Sequence, residues 1–267
     1  MATKSIVIIP TYNELDNVGP MVRAIMALER SFDILFIDDQ SPDGTAQKIE
    51  ELQASHPERI HLEKRSGKLG LGTAYIHGFK WAIEKGYQFI CEMDADFSHN
   101  PADLARLVDA CKTGGADLAI GSRYVTGGAV ANWPQRRILL SKGASLYTRL
   151  ITWMPVMDPT AGFVCYKRET LEALNLDGIN FVGYAFQIEM KFAAWKLKFK
   201  ITEVPITFVD RKLGASKMNK GIVKEGILGV LKLRWQSLFK DYHARIKSKG
   251  ESTSKYSSDD VVAQSNH

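Results

Sequence analysis

Residues 5–14 read SIVIIPTYNE. Ser5-Ile6-Val7-Ile8-Ile9 is a continuous apolar run rather than an alternating one, the pattern of a strand buried on both faces of a parallel sheet. A helical pattern follows over 17–29. The unit then recurs: strand 34–37, helix 45–54, strand 60–63, helix 72–85, strand 89–93. Asn100-Pro101, an N-cap with Pro at the first helical position, opens a further helix to about Lys112, and strand 117–120 closes the series. Repeated β-α-β units of this kind specify an α/β fold, a doubly wound, mostly parallel sheet with right-handed crossovers.

Such sheets bind ligands outside the carboxyl ends of their strands. The residues that land there are Pro10-Thr11-Tyr12-Asn13-Glu14, then Asp38-Asp39-Gln40-Ser41-Pro42-Asp43-Gly44, then Asp94-Ala95-Asp96, then Gly121-Ser122-Arg123-Tyr124. Three of the four clusters carry acids and the fourth an arginine, all on one edge.

The second half is mixed. Helical patterns cover 138–153 and 184–196, and 162–166 reads as a strand. Residues 201–208 read as one strand with an edge or kink at Pro205. A helical pattern runs over 219–240, and the tail from Lys247 is polar, Ser-rich and expected to be disordered. The expected division is an α/β domain over 1–218, an amphipathic helix over 219–245 and a tail over 246–267.

A chain of 267 residues with 45% hydrophobic composition buries one substantial core, or a core plus an appendage. The net charge of +5 is concentrated as Lys and Arg between Arg211 and Lys249, which suits either an anionic partner or a solvated basic helix. Three widely separated cysteines, Cys91, Cys111 and Cys165, form neither a disulfide framework nor a metal pair, and fit a reducing cytosol. The start runs straight into a strand, so no signal peptide is expected. No apolar stretch approaches the ~20 residues that span a bilayer. The nearest, 221–239, is interrupted by Lys224, Glu225, Lys232 and Arg234, and the expectation is a soluble or peripheral protein.

Gly70-Leu71-Gly72 matches neither a dinucleotide fingerprint nor a phosphate loop, and reads as a helix-opening turn. No nucleophile elbow, zinc spacing or Cys/His pair is present. Asp94 and Asp96 are either solvated turn residues or the holders of a divalent cation. As ligands they suit Mg²⁺ or Mn²⁺, hard cations that take one or two carboxylates and complete their shell with substrate phosphates. Asp38 is placed to reach a base or ribose, and Arg123, Arg211 and Lys217 to neutralise phosphates. His99 could be a ligand or a base, but beside an N-cap Asn a partly exposed turn histidine is the preferred reading. Together these residues suggest a nucleotide-diphosphate donor whose leaving group is stabilised by metal and cations.

PTYNE at 10–14, DDQSPDGT at 38–45, DADFSHNP at 94–101, GSRY at 121–124, WPQRR at 133–137 and RKLGASK at 211–217 resemble glycosyltransferase family 2. More narrowly, they resemble its polyprenol-phosphate (dolichol-phosphate) mannosyltransferases. The resemblance runs from about Ile6 to Trp235. It implies a glycosyltransferase-A-type nucleotide-sugar-binding fold in which Pro10, Tyr12 and Glu14 cradle the guanine nucleotide and Phe36 and Asp38 contact base and ribose. Asp94 and Asp96 would hold metal and diphosphate, with the backbone of Ala95 close by. Ser98 occupies the place of a third metal ligand that is Gln in some relatives. Arg123, Arg211 and Lys217 match positions that bind donor or acceptor phosphates, and Arg137 one that faces the lipid phosphate.

The implied activity is inverting transfer of mannose from GDP-mannose to a polyprenyl monophosphate. Phosphate has a second pKa of ~6, so that acceptor is already ionised and needs no strong base. The long lipid implies work at the cytosolic face of a membrane, peripherally attached. Ile227, Leu231, Trp235 and Leu238 recur at helical spacing as an interfacial helix would, although Arg234 falls within that arc; a helix packed on the core or on a partner fits equally. Some relatives carry a membrane anchor or domain that is not expected here, which leaves room for a separate anchoring subunit. The rival readings are another donor such as UDP-glucose, or a catalytically silent nucleotide-binding protein. No nucleic-acid role is expected, because no aromatic-plus-basic stripe accompanies the basic segment.

Overall fold

The computed structural model describes residues 4–183, 185–210 and 220–244. The first half alternates as the apolar runs dictate: β1 (Ser5–Thr11), α1 (Leu15–Met26), β2 (Asp33–Asp38), α2 (Thr45–Ser55), β3 (Ile60–Lys64), α3 (Leu71–Glu84), β4 (Phe89–Glu92), α4 (Asp103–Lys112) and β5 (Leu118–Ser122). Then come β6 (Ala129–Ala131), α5 (Gln135–Thr152), β7 (Val164–Lys167), α6 (Arg168–Ala173), α7 (Ala185–Lys196), β8 (Ile201–Pro205), β9 (Thr207–Val209) and α8 (Lys220–Gln236).

Seven strands form one sheet in the order β3-β2-β1-β4-β7-β5-β8. Only β7 runs antiparallel, against both β4 and β5. Successive residues of β1 face opposite ways. Ile6 and Ile8 join a core with α3 and α7, including Tyr75, Phe79 and Phe186. Val7 and Ile9 join a second core with α1 and α4, including Met21, Ile25 and Leu107. This double burial explains why β1 is apolar from Ile6 to Ile9, and each fully buried Ile or Val contributes about 1.5–3 kcal/mol. Helix α3 sits so close to β1 that a Cβ on Gly78 would lie 2.7 Å from Ile8 Cγ2.

From β1 the chain builds outward through β2 and β3, then returns to place β4 on the other side of β1. The carboxyl ends of β1 and β4 therefore flank the point where strand order reverses, the place where such sheets open a ligand crevice.

Two expectations change. The single strand over 201–208 is two strands in two sheets: β8 pairs with β5, while β9 pairs with β6 in a separate two-stranded sheet. Pro205 has no N–H to continue the ladder, and after it the Ile206 N–H donates to Ser122 O at 3.0 Å as the chain leaves the main sheet. Helix α4 begins at Asp103, two residues after Pro101, because Asn100 caps a preceding turn, its Oδ1 accepting from Ala102 N at 3.1 Å.

Helix α8 packs one side on the core, burying Val230 and Leu233. The Arg234 guanidinium lies 4.8 Å from the Trp153 ring centroid at the end of α5, which accounts for a cation inside an otherwise apolar arc. The side chain of Ile227 and the tail beyond residue 244 lie outside the described residues. No described helix is long and apolar enough to cross a membrane. All three cysteines are free and buried.

Candidate active site

The loops after β1 and β2 are stitched together by the polar residues of their own motifs. Asp38, fully buried, accepts from Thr11 Oγ1 (3.2 Å), Ser41 N (2.9 Å) and Ser41 Oγ (2.6 Å). Asn13 N donates to Ser41 Oγ and Glu14 N to Thr45 Oγ1, each at 3.0 Å. Asp43 accepts from Thr45 N and Oγ1; these bonds outweigh burial and hold its carboxyl below the usual range. Gly44 carries the turn at φ +92°, a backbone region costly for residues with a Cβ. Glu14 accepts from Asn17 Nδ2 at 2.7 Å, closing the first turn of α1. Lys68 Nζ lies 4.6 Å from the centre of the Tyr12 ring. Next to it Arg65 and Asp39 pair; burial outweighs that pairing and raises the Asp39 carboxyl.

Pro10, Tyr12, Glu14 and Asp38 therefore gather at one rim. Phe36 does not join them. Its side chain is fully buried in the core beside α1. Phe36 and Asp38 lie two residues apart on β2, Phe36 within the ladder and Asp38 at its end.

Asp94, Asp96, Ser98, Arg123 and Arg137 share the wall of one cavity of about 910 Å³. Asp96 Oδ1 accepts from Ser98 N at 3.0 Å, and Ser98 O accepts from Val209 N at 3.1 Å, so the small β6–β9 sheet braces the acidic loop. Ala95 is buried between the two acids. Among the described residues no third acid, His or Cys joins Asp94 and Asp96 as a ligand cluster. Two carboxylates opening on a cavity suit a hard divalent cation that takes its remaining ligands from substrate and water, and the set fits Mg²⁺ or Mn²⁺. Arg211 and Lys217 lie outside the described residues.

Arg123 follows β5 and is nearly buried. Its Nε and Nη2 donate to Asp158 at 2.7 and 2.6 Å, and Nη2 also to Thr160 Oγ1 at 2.9 Å. The rings of Tyr124, Phe208 and Trp133 surround its guanidinium at 5.1, 5.4 and 5.7 Å. Arg137 stacks on Trp133 and donates to Asp210.

His99 differs from its reading as a partly exposed turn residue. It is 2% exposed, stacked on Phe163 at 4.9 Å and edge-on to Phe208 at 5.1 Å. Burial, partly opposed by Asp96, pushes its pKa down to about 4. The imidazole is therefore neutral at physiological pH and makes a poor general base.

Several buried polar residues behind the site were not singled out in the sequence. Glu92, within β4, accepts from Gln187 Nε2 in full burial, and its pKa is pushed up to about 7 by that burial against the pull of Lys191. Lys191, also buried, donates to Ala161 O at 2.7 Å and Gln187 Oε1 at 3.0 Å. An acid inside the apolar run FICEM was a usable signal for Glu92. Asp158 was hidden because Asp-Pro reads as a turn.

Away from the acids the cavity becomes apolar. Leu139, Leu140, Ala144 and Tyr147 of α5, Ile188 of α7 and Val230 of α8 line that end. Beyond it α5 exposes Leu146, Leu150 and Trp153, and the α8 region exposes Leu231, Trp235 (69%), Leu238 and Phe239 (81%).

This arrangement has relatives. The chain is 46% identical over 227 residues to the polyprenol monophosphomannose synthase of Mycolicibacterium smegmatis, covering 85% of each. It is 45% identical to the undecaprenyl-phosphate mannosyltransferase of Micrococcus luteus, covering 86% of this chain and 96% of that one. A mannosyltransferase from Pyrobaculum calidifontis, solved with GDP-Man and Mn²⁺, shares the fold at a TM-score of 0.56 and 17% identity, covering 91% of this chain and 66% of that one. Glucosyl-3-phosphoglycerate synthase from Mycobacterium tuberculosis, solved with Mn²⁺ and UDP, does so at 0.62 and 17%, covering 87% and 80%. The sequence profile of glycosyl transferase family 2 matches residues 6–174, and the chain belongs to that family.

Proposed function

We propose that this protein transfers mannose from GDP-mannose to a polyprenyl monophosphate with inversion at the anomeric carbon. The observation that carries the reading is the continuity of the cavity. One end presents Asp94, Asp96, Arg123 and Arg137, and the other is a hydrocarbon-lined groove between α5 and α8. A substrate with an anionic head and a long apolar tail matches both ends at once. The names of the two mannosyl relatives support the same substrate class.

The rim after β1 and β2 offers the nucleotide a tyrosine face at Tyr12 and a buried carboxylate at Asp38. Asp94 and Asp96 bind a divalent cation together with the donor diphosphate; Mg²⁺ or Mn²⁺ there supplies charge neutralisation for the leaving group. Arg123 and Arg137 hold the acceptor phosphate near the anomeric carbon, a positioning role that offsets the repulsion between two anions. The acceptor oxygen is already deprotonated. No side chain must remove a proton, which agrees with a neutral, buried His99. Attack opposite the leaving diphosphate gives the β-linked lipid-phosphate mannose. The apolar faces of α5 and α8 rest on the cytosolic surface of a membrane, where the polyprenyl chain resides.

The test incubates purified protein with radiolabelled GDP-mannose, Mg²⁺ or Mn²⁺ and polyprenyl phosphates, with UDP-glucose in parallel. Organic-phase label from GDP-mannose, lost on adding EDTA, supports the proposal. Label from UDP-glucose alone replaces the sugar, and no lipid label from either donor rejects the acceptor class.

A further inference from the structure

Resting on the reading that Arg123 meets the acceptor phosphate, we infer that Asp158 is the positioning residue that fixes how Arg123 presents itself to that anion. Asp158 lies in the loop between α5 and β7, with its carboxylate 0% exposed. It takes three hydrogen bonds from one residue: Arg123 Nε at 2.7 Å, Nη2 at 2.6 Å and the backbone N–H at 3.0 Å. A two-pronged carboxylate–guanidinium contact defines a plane, and the added backbone bond ties that plane to the end of β5. Thr160 Oγ1 accepts from Nη2 at 2.9 Å and closes the same edge. With the Nε–Nη2 edge anchored behind, the guanidinium keeps one orientation on the cavity wall.

The loop itself is clamped from both sides. Glu203 of β8 accepts from Met157 N at 2.7 Å and Asp158 N at 3.0 Å. Lys191 Nζ of α7 donates to Ala161 O at 2.7 Å. Asp158 is thus a fixed template rather than a movable latch, and a site held this way loses turnover when its support loosens by a fraction of an ångström.

The pair has a second consequence. The buried carboxylate balances the guanidinium charge, so anion binding at the cavity is weaker than a lone arginine would give. Orientation and affinity are therefore set in opposite directions by one residue, which separates this role from a merely structural one. Asp158→Asn keeps the side-chain size but removes the charge and one of the two strong acceptors.

The experiment measures steady-state transfer from GDP-mannose to polyprenyl phosphate and the acceptor KM for wild type, Asp158→Asn and Thr160→Val. The expected result for Asp158→Asn is a kcat lower by about 10- to 100-fold with an acceptor KM unchanged or lower. Thr160→Val should show the same split with a smaller loss of kcat. Wild-type kcat in Asp158→Asn, or a raised KM at undiminished kcat, overturns the inference. If Asp158→Asn fails to fold, Thr160→Val decides, and wild-type kcat there overturns it as well. A wild-type protein that makes no lipid-linked mannose overturns the acceptor reading and this inference with it. Active wild type beside an equally active Asp158→Asn overturns the inference alone.

Discussion

The Arg137 guanidinium stacks 3.9 Å from the centre of the Trp133 ring while Nη1 donates to Asp210 at 2.9 Å. Its flat face is held by an aromatic and one edge by a carboxylate, a geometry that a lysine ammonium cannot reproduce. Arg137→Lys should therefore lower kcat/KM for the acceptor by about tenfold or more, as the loss of a partly desolvated cation–π contact implies. Trp133→Leu should do the same with Arg137 intact. Wild-type kinetics in both variants, measured against polyprenyl phosphate, would remove Arg137 from the site.

Asp94 and Asp96 differ from the other acids of the strand edge in opening on the cavity. Asp94→Asn and Asp96→Asn should each abolish metal-dependent transfer, because several kcal/mol of charge stabilisation depend on the cation. Neither change empties the core, so the thermal midpoint should move by only a few degrees. A transfer assay across a Mn²⁺ titration, beside circular-dichroism melting, checks both halves. Unimpaired activity at ordinary Mn²⁺ would reject the metal assignment.

His99 makes acid stability a readout of burial. Its ordinary pKa of 6.5 falls to about 4 in the fold, chiefly through burial. Between those values the unfolded chain binds the proton and the folded one does not, so His99 lowers stability as pH falls from 6.5 toward 4. The gap corresponds to roughly 3 kcal/mol. His99→Phe, which fits the sandwich of Phe163 and Phe208, should flatten this limb in melting curves recorded in EDTA. Parallel curves for both proteins would show that His99 does not titrate this way.

Leu150, Trp153, Leu231 and Trp235 expose hydrocarbon that a soluble contact does not require. Leu150→Glu with Trp235→Glu should weaken co-sedimentation with anionic vesicles by about tenfold, since each deletes interfacial apolar area. GDP binding, which we propose lies at the rim after β1 and β2, should stay unchanged. Undiminished vesicle binding would shift these faces toward a separate anchoring subunit.

Much of this was readable from residues 5 to 122. There the continuous apolar runs and the turn residues between them each report a local property, and the sheet follows. The acids at the strand ends were readable for the same reason. What escaped depends on distant partners. His99 looked exposed beside Asn100-Pro101, but it packs against the distant rings of Phe163 and Phe208. The β6–β9 sheet consists of three-residue strands too short to show a period. Arg234 seemed misplaced in an apolar arc until Trp153 supplied the ring beneath it. Asp158 carried no pattern of its own, and its importance comes from Arg123, 35 residues earlier.

The most direct measurement is the structure of the product. Polyprenyl phosphate and GDP-mannose are incubated with the purified protein, and the lipid fraction is analysed by mass spectrometry and by the one-bond C1–H1 coupling of the sugar. Inverting attack by the acceptor phosphate predicts one mannose on one polyprenyl phosphate, with the β configuration. An α-linked product, or free mannose with unmodified lipid, would contradict it.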